Sequence, residues 1–131
     1  MKGYIGNIEK LAEENTTFRT VLYTDKNLQL VVMSLNPSED IGEEVHQLDQ
    51  FIRIEKGTAQ AVLDGVTHEL TEGAAIIIPS GTKHNLINTS NTEALKLYTL
   101  YSPPNHADGT VHETRAEAMA AEEHFDGKMT E

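Results

Sequence analysis

Short runs of alternating or continuous apolar residues occupy most of the chain between residues 16 and 101. Turn-forming pairs such as Asp64-Gly65 separate these runs, and strands bounded in this way are typical of antiparallel β-structure. Eight strands are predicted, at residues 16–24, 28–35, 45–54, 59–65, 67–70, 74–78, 84–88 and 94–101. Strands at such regular spacing indicate an all-β sandwich or barrel.

The two ends of the chain have helical patterns instead. Residues 4–15 place apolar side chains at helical spacing, which predicts a short N-terminal helix. Near the other end, Thr114 and Glu117 form the sequence of a capping box ahead of an alanine-rich segment that ends near residue 125, which predicts a C-terminal helix.

Length and composition narrow the classes of protein to consider. A chain of 131 residues is typical of one domain, so we predict a single domain over residues 1–131 with a core barrel at about 16–104 and a C-terminal loop and helix at about 105–125. The formal net charge of −11 would repel phosphate backbones, which argues against a nucleic-acid partner. No apolar run has the length of a signal peptide or a membrane helix, so we predict a cytoplasmic protein with no membrane partner.

Four polar side chains lie where a barrel would bring them together. Residues two apart on a strand share a face, so Glu44 and His46 project together, and Gln50 follows on the same alternation. His84 comes after a turn that contains a proline and a glycine, which fixes the direction of its imidazole. Because the chain has no cysteine, any metal bound here would have nitrogen and oxygen ligands.

Residues 42–57 and 73–88 contain these side chains. The two segments resemble the sequence motifs of the cupin superfamily, G(X)5HXH(X)3,4E(X)6G and G(X)5PXG(X)2H(X)3N. The second motif is matched at every defined position, by Gly73, Pro79, Gly81, His84 and Asn88. The first is matched at His46 and Gly57, whereas Glu44 stands at the first histidine position and Gln50 at the glutamate position. The chain is similar to small single-domain (cupin_2 type) members, and residues 102–118 resemble the group labelled mannose-6-phosphate isomerase-like.

This resemblance implies an all-β fold, the double-stranded β-helix or jelly-roll barrel. It also implies a divalent transition metal, Zn, Fe, Mn or Ni, held by Glu44, His46, Gln50 and His84. The usual three histidines and one glutamate carry one negative charge, and the four residues present here carry one as well, so the carboxylate has moved within the site. The alternative is a site without metal, in which the four side chains are rim, core and turn residues.

Three functions are compatible with the resemblance, each with a small molecule as partner. The first is a metal-assisted sugar isomerase, since zinc phosphomannose isomerases use two histidines, a glutamine and a glutamate. The second is a dioxygenase with Fe(II) on Glu44, His46 and His84. The third is a barrel that binds a sugar or another small ligand without turnover. Small cupins also often form homodimers, by pairing sheets or by exchanging a strand such as residues 16–24.

The remaining polar residues are interpreted as structural. His106 and His112 are expected to pack in a loop, His68 to be exposed on a strand, and His124 to lie on the solvent face of the last helix. Tyr98 and Tyr101 either border the pocket or serve as half-buried packing. Asp49 and Arg53 fall on the opposite strand face from Gln50, and we expect them to pair with each other or with a neighbouring strand.

Overall fold

Ten strands and two helices make up the structure, a computed structural model that describes residues 1–121 and 123–131. In chain order the elements are α1 (Ile8–Glu14), β1 (Arg19–Thr24), β2 (Gln29–Leu35), β3 (Glu44–Val45), β4 (Asp49–Lys56), β5 (Ala59–Leu63), β6 (Val66–Leu70), β7 (Ala75–Ile78), β8 (Lys83–Asn88), β9 (Leu95–Ser102), β10 (Val111–His112) and α2 (Arg115–Ala120).

Two antiparallel sheets pack face to face around one core. The first has six strands in the order β10-β1-β2-β9-β4-β7, and the second has four in the order β3-β8-β5-β6. The side chains between them are apolar and almost fully buried, and they include Phe18, Val31, Met33, Leu35, Ile52, Ile54, Leu86, Leu95 and Leu97. This arrangement confirms the predicted jelly-roll fold of the all-β class.

The predicted strand over residues 45–54 is two strands in different sheets. Glu44 and Val45 pair with β8, whereas β4 pairs with β7 and β9. The chain bends at Gln47 and Leu48, and this bend lets Leu48, only 9% exposed, enter the core. Glu44 and Gln50 therefore do not lie on one continuous strand. The expectation that Gln50 follows Glu44 and His46 on the same alternating face is wrong.

The N-terminal helix is shorter than predicted. α1 begins at Ile8 rather than residue 4, because the side chain of Asn7 accepts a hydrogen bond from the Lys10 N–H and caps the helix at that point. Ile5, counted as part of the apolar helical face, is 97% exposed.

The C-terminal helix is confirmed with a shorter span. Thr114 caps α2 by accepting a hydrogen bond from the Glu117 N–H at 3.1 Å, as the sequence predicts. The carboxylate of Glu117 accepts from the N–H of Glu113 at 2.8 Å rather than from the capping residue. The helix ends at Ala120, residues 123–125 are not helical, and the part of the predicted helix at residue 122 lies outside the described residues.

β10, at Val111–His112, was not predicted. It pairs with the start of β1, in the register Arg19↔His112 and Thr20↔Val111. β1 thus has neighbours on both sides within its own chain, and the homodimer stays a prediction. No helix in the described part of the chain has the length and apolar character needed to span a bilayer.

Candidate metal centre

Three of the four predicted ligands converge at one end of the four-stranded sheet. Glu44 on β3 is the cross-strand partner of His84 on β8, and His46 follows directly after β3. One ligand atom from each of these three side chains lies within 4.8 Å of the other two. The rings of His46 and His84 have their centroids 5.1 Å apart. Two imidazoles and one carboxylate therefore face a common point.

The turn between β7 and β8 positions both histidines. Gly81 has a φ of +85°, which an L side chain rarely adopts, and its N–H donates to the carbonyl of His46 at 2.8 Å. The Nδ1 of His84 lies 2.9 Å from the carbonyl oxygen of Thr82. Because a carbonyl can only accept, Nδ1 carries the proton and Nε2 keeps the lone pair that a metal requires.

His46 and Glu44 are hydrogen-bonded to each other. The Nε2 of His46 lies 2.8 Å from Oε2 of Glu44, and a carboxylate at this distance requires a proton on Nε2. A metal ion bound by both residues would replace that proton, because a ligating imidazole nitrogen must be deprotonated. The pair is half-buried, whereas His84 is 5% exposed.

Gln50 comes from the other sheet and has an unsatisfied oxygen. Its Nε2 donates to Oγ1 of Thr99 at 3.0 Å, and that hydroxyl donates in turn to the carbonyl of Phe51 at 2.8 Å. Its Oε1 is buried with no hydrogen-bond partner among the described residues, although the side chain is only 4% exposed. A buried carbonyl oxygen without a donor is suited to a cation. Direct ligation by Gln50 stays a prediction.

A cavity of about 270 Å³ adjoins Glu44 and His46. Arg19, His106 and His112 form another part of its wall, and residues of α2 and the segment after it, including Met119 and Ala121, cover it. α2 is attached to the rest of the fold by Arg115, whose Nε donates to the carbonyl of Asp40 at 2.7 Å and whose Nη2 donates to Oδ1 of Asp40 at 2.9 Å.

Burial controls the protonation of the aromatic groups between the cavity and the core. The ring of Tyr101 is 6.2 Å from that of His46 and 5.2 Å from that of His106. Burial raises the pKa of Tyr101 to about 12, with Glu44 adding to the shift and Arg19 opposing it. Burial, followed by the charge of Arg19, lowers the pKa of His106 to about 2, and the same two causes lower the pKa of His112. At neutral pH the phenol is therefore un-ionised and both imidazoles are uncharged.

The structure changes the interpretation of several residues. His106 and His112 are buried, as packing residues would be, but they also line the cavity. His124 lies after α2 rather than on it, and it borders the same cavity. Arg19 is not among the residues predicted for the site from the sequence. The pattern that points to it is a charged residue at an inward position of an alternating strand.

The other structural expectations are resolved residue by residue. His68 is exposed on β6, as predicted. Tyr101 is buried beside His46, so it is both packing and part of the site's surroundings. Asp49 accepts a hydrogen bond from the Ser80 N–H, just after the neighbouring strand β7, and Arg53 lies 4.0 Å from Glu55, so the two charges do not pair with each other.

Comparison with known proteins assigns the family. The Cupin domain family matches residues 31–101 of the chain. An uncharacterized protein of Bacillus subtilis (strain 168), YrkC, is 47% identical over 129 residues, which cover 93% of this chain and 69% of that protein. An uncharacterized protein of Acanthamoeba polyphaga mimivirus is 47% identical over 119 residues, which cover 88% of this chain and 74% of that protein.

A solved structure supports the same assignment. The crystal structure of BH2720 from Bacillus halodurans is similar with a TM-score of 0.89 and 44% sequence identity, over 92% of this chain and 96% of that one. Fold, motif residues and relatives therefore agree, and the chain belongs to the cupin family.

Proposed function

We propose that the protein is a metalloenzyme that holds one divalent transition-metal ion on Glu44, His46 and His84 and acts on a small molecule in the adjoining cavity. The single observation that carries the proposal is the approach of two imidazoles and a carboxylate to within 4.8 Å of one another. The unsatisfied Oε1 of Gln50 supports it, since a fourth, weaker oxygen ligand would complete the set. Zn, Fe, Mn and Ni all accept such nitrogen and oxygen donors.

Some residues of the site position the metal ligands, and others determine the charge of the cavity. The hydrogen bond from His84 Nδ1 to the Thr82 carbonyl orients one ligand, and the Gly81 N–H holds the backbone of the other at His46. A bound divalent ion supplies Lewis-acid chemistry and, in the case of iron, electron transfer to oxygen. The uncharged His106 adds no charge to the wall of the cavity, and the un-ionised Tyr101 lies next to the rings of His46 and His106.

Two reactions are consistent with this centre, and a different observation favours each. Two histidines and one carboxylate are the ligand set of non-haem Fe(II) oxygenases, which favours a dioxygenase. Gln50 adds the fourth residue type of the zinc phosphomannose isomerases, which favours isomerisation of a sugar, as the resemblance to the mannose-6-phosphate isomerase-like group suggests. The third function, ligand binding without turnover, is the outcome left if neither reaction is observed in the loaded protein.

The metal centre is tested by elemental analysis of protein prepared without chelators. We expect one transition-metal ion per chain in the wild type, and none in His84→Ala. His68→Ala is the matched control, because it removes an exposed histidine from β6 and should leave the metal content unchanged. Equal metal content in the two variants would contradict the proposed centre.

The reaction is tested on protein loaded separately with Fe(II) and with Zn(II). A dioxygenase consumes oxygen only in the Fe(II) form, whereas an isomerase interconverts aldoses and ketoses in the Zn(II) form without oxygen uptake. His84→Ala serves as the inactive control in both assays. The form that loses its activity with this variant identifies the reaction class.

A further inference from the structure

Arg19 lies in the wall of the cavity beside the proposed metal centre. It is the first residue of β1, its side chain is 6% exposed, and it shares the cavity with Glu44 and His46. Its Nη1 donates to Nδ1 of His112 at 3.1 Å, and its Cζ lies 5.4 Å from the ring centroid of Phe18. These contacts fix the guanidinium group without neutralising it.

The charge of Arg19 has no protein counter-charge in the described part of the chain. None of the ion pairs formed within residues 1–121 and 123–131 includes it. Its Nε is buried without a hydrogen-bond partner among those residues. The nearby carboxylate of Glu44 is paired with His46, and that of Glu123 is 59% exposed and lies 3.9 Å from His112. A buried guanidinium without an anion is costly, which indicates that an anion occupies this wall during function.

His112 offers a second unpaired donor. Because a guanidinium can only donate, Nδ1 of His112 accepts from Arg19, and the proton of the neutral imidazole is on Nε2. That Nε2 is also buried without a hydrogen-bond partner among the described residues. Within residues 1–121 and 123–131, two N–H groups in the wall of one cavity thus lack acceptors, and the oxygens of an anion are the acceptors that would satisfy both.

We propose that Arg19 and His112 form an anion subsite that binds the carboxylate of a small organic acid. The inference rests on the proposed function in one respect, that the rest of the acid reaches the metal centre at Glu44 and His46. A carboxylate fits better than a phosphate, because Arg19 offers a single positive charge while two carboxylates, Glu44 and Glu123, line the same cavity. Its planar pair of oxygens also matches the guanidinium fork. A cavity of about 270 Å³ restricts the acid to a small molecule.

Acetate, the smallest probe with a methyl-bearing carboxylate, tests the subsite. It is titrated into ¹⁵N-labelled protein, both metal-free and Zn(II)-loaded, while the Arg19 Nε–H resonance is followed by NMR. We expect a saturable shift with acetate and none with acetamide, which has the same shape without the charge. Arg19→Gln should weaken acetate binding by about tenfold or more. Arg53→Gln is the matched control, because it removes the same charge from a side chain that is 39% exposed and lies outside this cavity. This variant should bind acetate with the same affinity as the wild type.

Three other outcomes would each support or contradict a part of this inference. A wild-type Arg19 resonance that does not respond to acetate would overturn it, and this measurement stands even if Arg19→Gln does not fold. Tighter binding of inorganic phosphate than of acetate at equal ionic strength would overturn the carboxylate assignment. Arg19-dependent acetate binding in a protein that takes up no metal would support the subsite and contradict the proposed function, so the two failures are distinguishable.

Discussion

Replacing Gln50 by glutamate tests the role of the buried amide. We expect the substitution to destabilise the metal-free protein and to strengthen metal binding in the loaded protein. In Gln50→Glu an ionised side chain can only accept hydrogen bonds, whereas Thr99 already donates its hydroxyl proton to Phe51. The 3.0 Å hydrogen bond to Thr99 is therefore lost in the ionised state, at a position that is 4% exposed. Without a metal, the new side chain avoids this cost by keeping a proton, which it then donates to Thr99.

Protonation sets an upper limit on the destabilisation. Holding an ordinary glutamic acid in its protonated form at pH 7 costs about 3.7 kcal/mol. A domain of 131 residues has an unfolding entropy of roughly 0.28 kcal/mol/K, so the melting temperature of the metal-free variant falls by at most about 13 °C. The loss grows as the pH rises from about 4 to 7, because the folded state keeps a proton that the unfolded state releases, and it vanishes below about pH 4.

The metal-loaded variant should behave in the opposite way. Beside a divalent ion the added carboxylate stays ionised, so we expect Gln50→Glu to bind Zn(II) about tenfold more tightly than the wild type and to regain its melting temperature when saturated. Differential scanning calorimetry at pH 5 and 7, with and without Zn(II), measures both effects. Gln47→Glu makes the same charge change at an exposed position of the bend and should show neither. A variant that melts like the wild type at pH 7 without metal, and binds Zn(II) no better, would refute the placement of Oε1 at the ion.

Three further changes test the turn, the core and the cavity. Gly81→Ala forces a side chain into a φ of +85°, so we expect a loss of about 1–2 kcal/mol in unfolding free energy and weaker Zn(II) binding through His46, and unchanged Zn(II) affinity would argue against the turn as the positioning device. Leu97→Ala, at 0% exposure, should cost about 2–5 kcal/mol in urea denaturation, and a cost below 1 kcal/mol would contradict its place in the core. Because His106 has a folded pKa of about 2, below that of the unfolded state, it destabilises the protein as the pH falls below about 6.5, by roughly 1.4 kcal/mol per pH unit. Urea denaturation of His106→Asn should show a smaller loss between pH 6.5 and 5 than the wild type, and an identical slope would exclude His106 as its source.

Sequence patterns predicted the architecture well because most strands carry the signal themselves. β4 and β9 alternate along their length, β2 is a nearly continuous buried run, and the Asp64-Gly65 hairpin adopts the positive φ angles that its sequence favours. β10 was missed because a two-residue ladder has no periodicity to detect, and it exists only through pairing with β1. The bend at residues 47–48 was missed because it is determined by burial of Leu48 between the sheets, which is a tertiary effect.

The site was predicted in part for similar reasons. Motif spacing identified Glu44, His46 and His84, which the fold brings together. The cavity depends on where distant segments meet. The hydrogen bond between Arg19 and His112, which lie 93 positions apart in the chain, therefore has no local sequence signal. Their pairing across β1 and β10 could be found only from the register of the folded sheet.

The switch of the chain from one sheet to the other at residues 47–48 has a consequence for assembly of the site. Glu44 and His84 belong to the four-stranded layer, whereas Gln50 belongs to the six-stranded layer. An ion held by both would act as a cross-brace between the halves of the sandwich, and it could be captured fully only after those halves have docked. Metal uptake would then report completion of folding rather than initiate it, and release of the ion would loosen the mouth of the barrel before its hydrophobic interior.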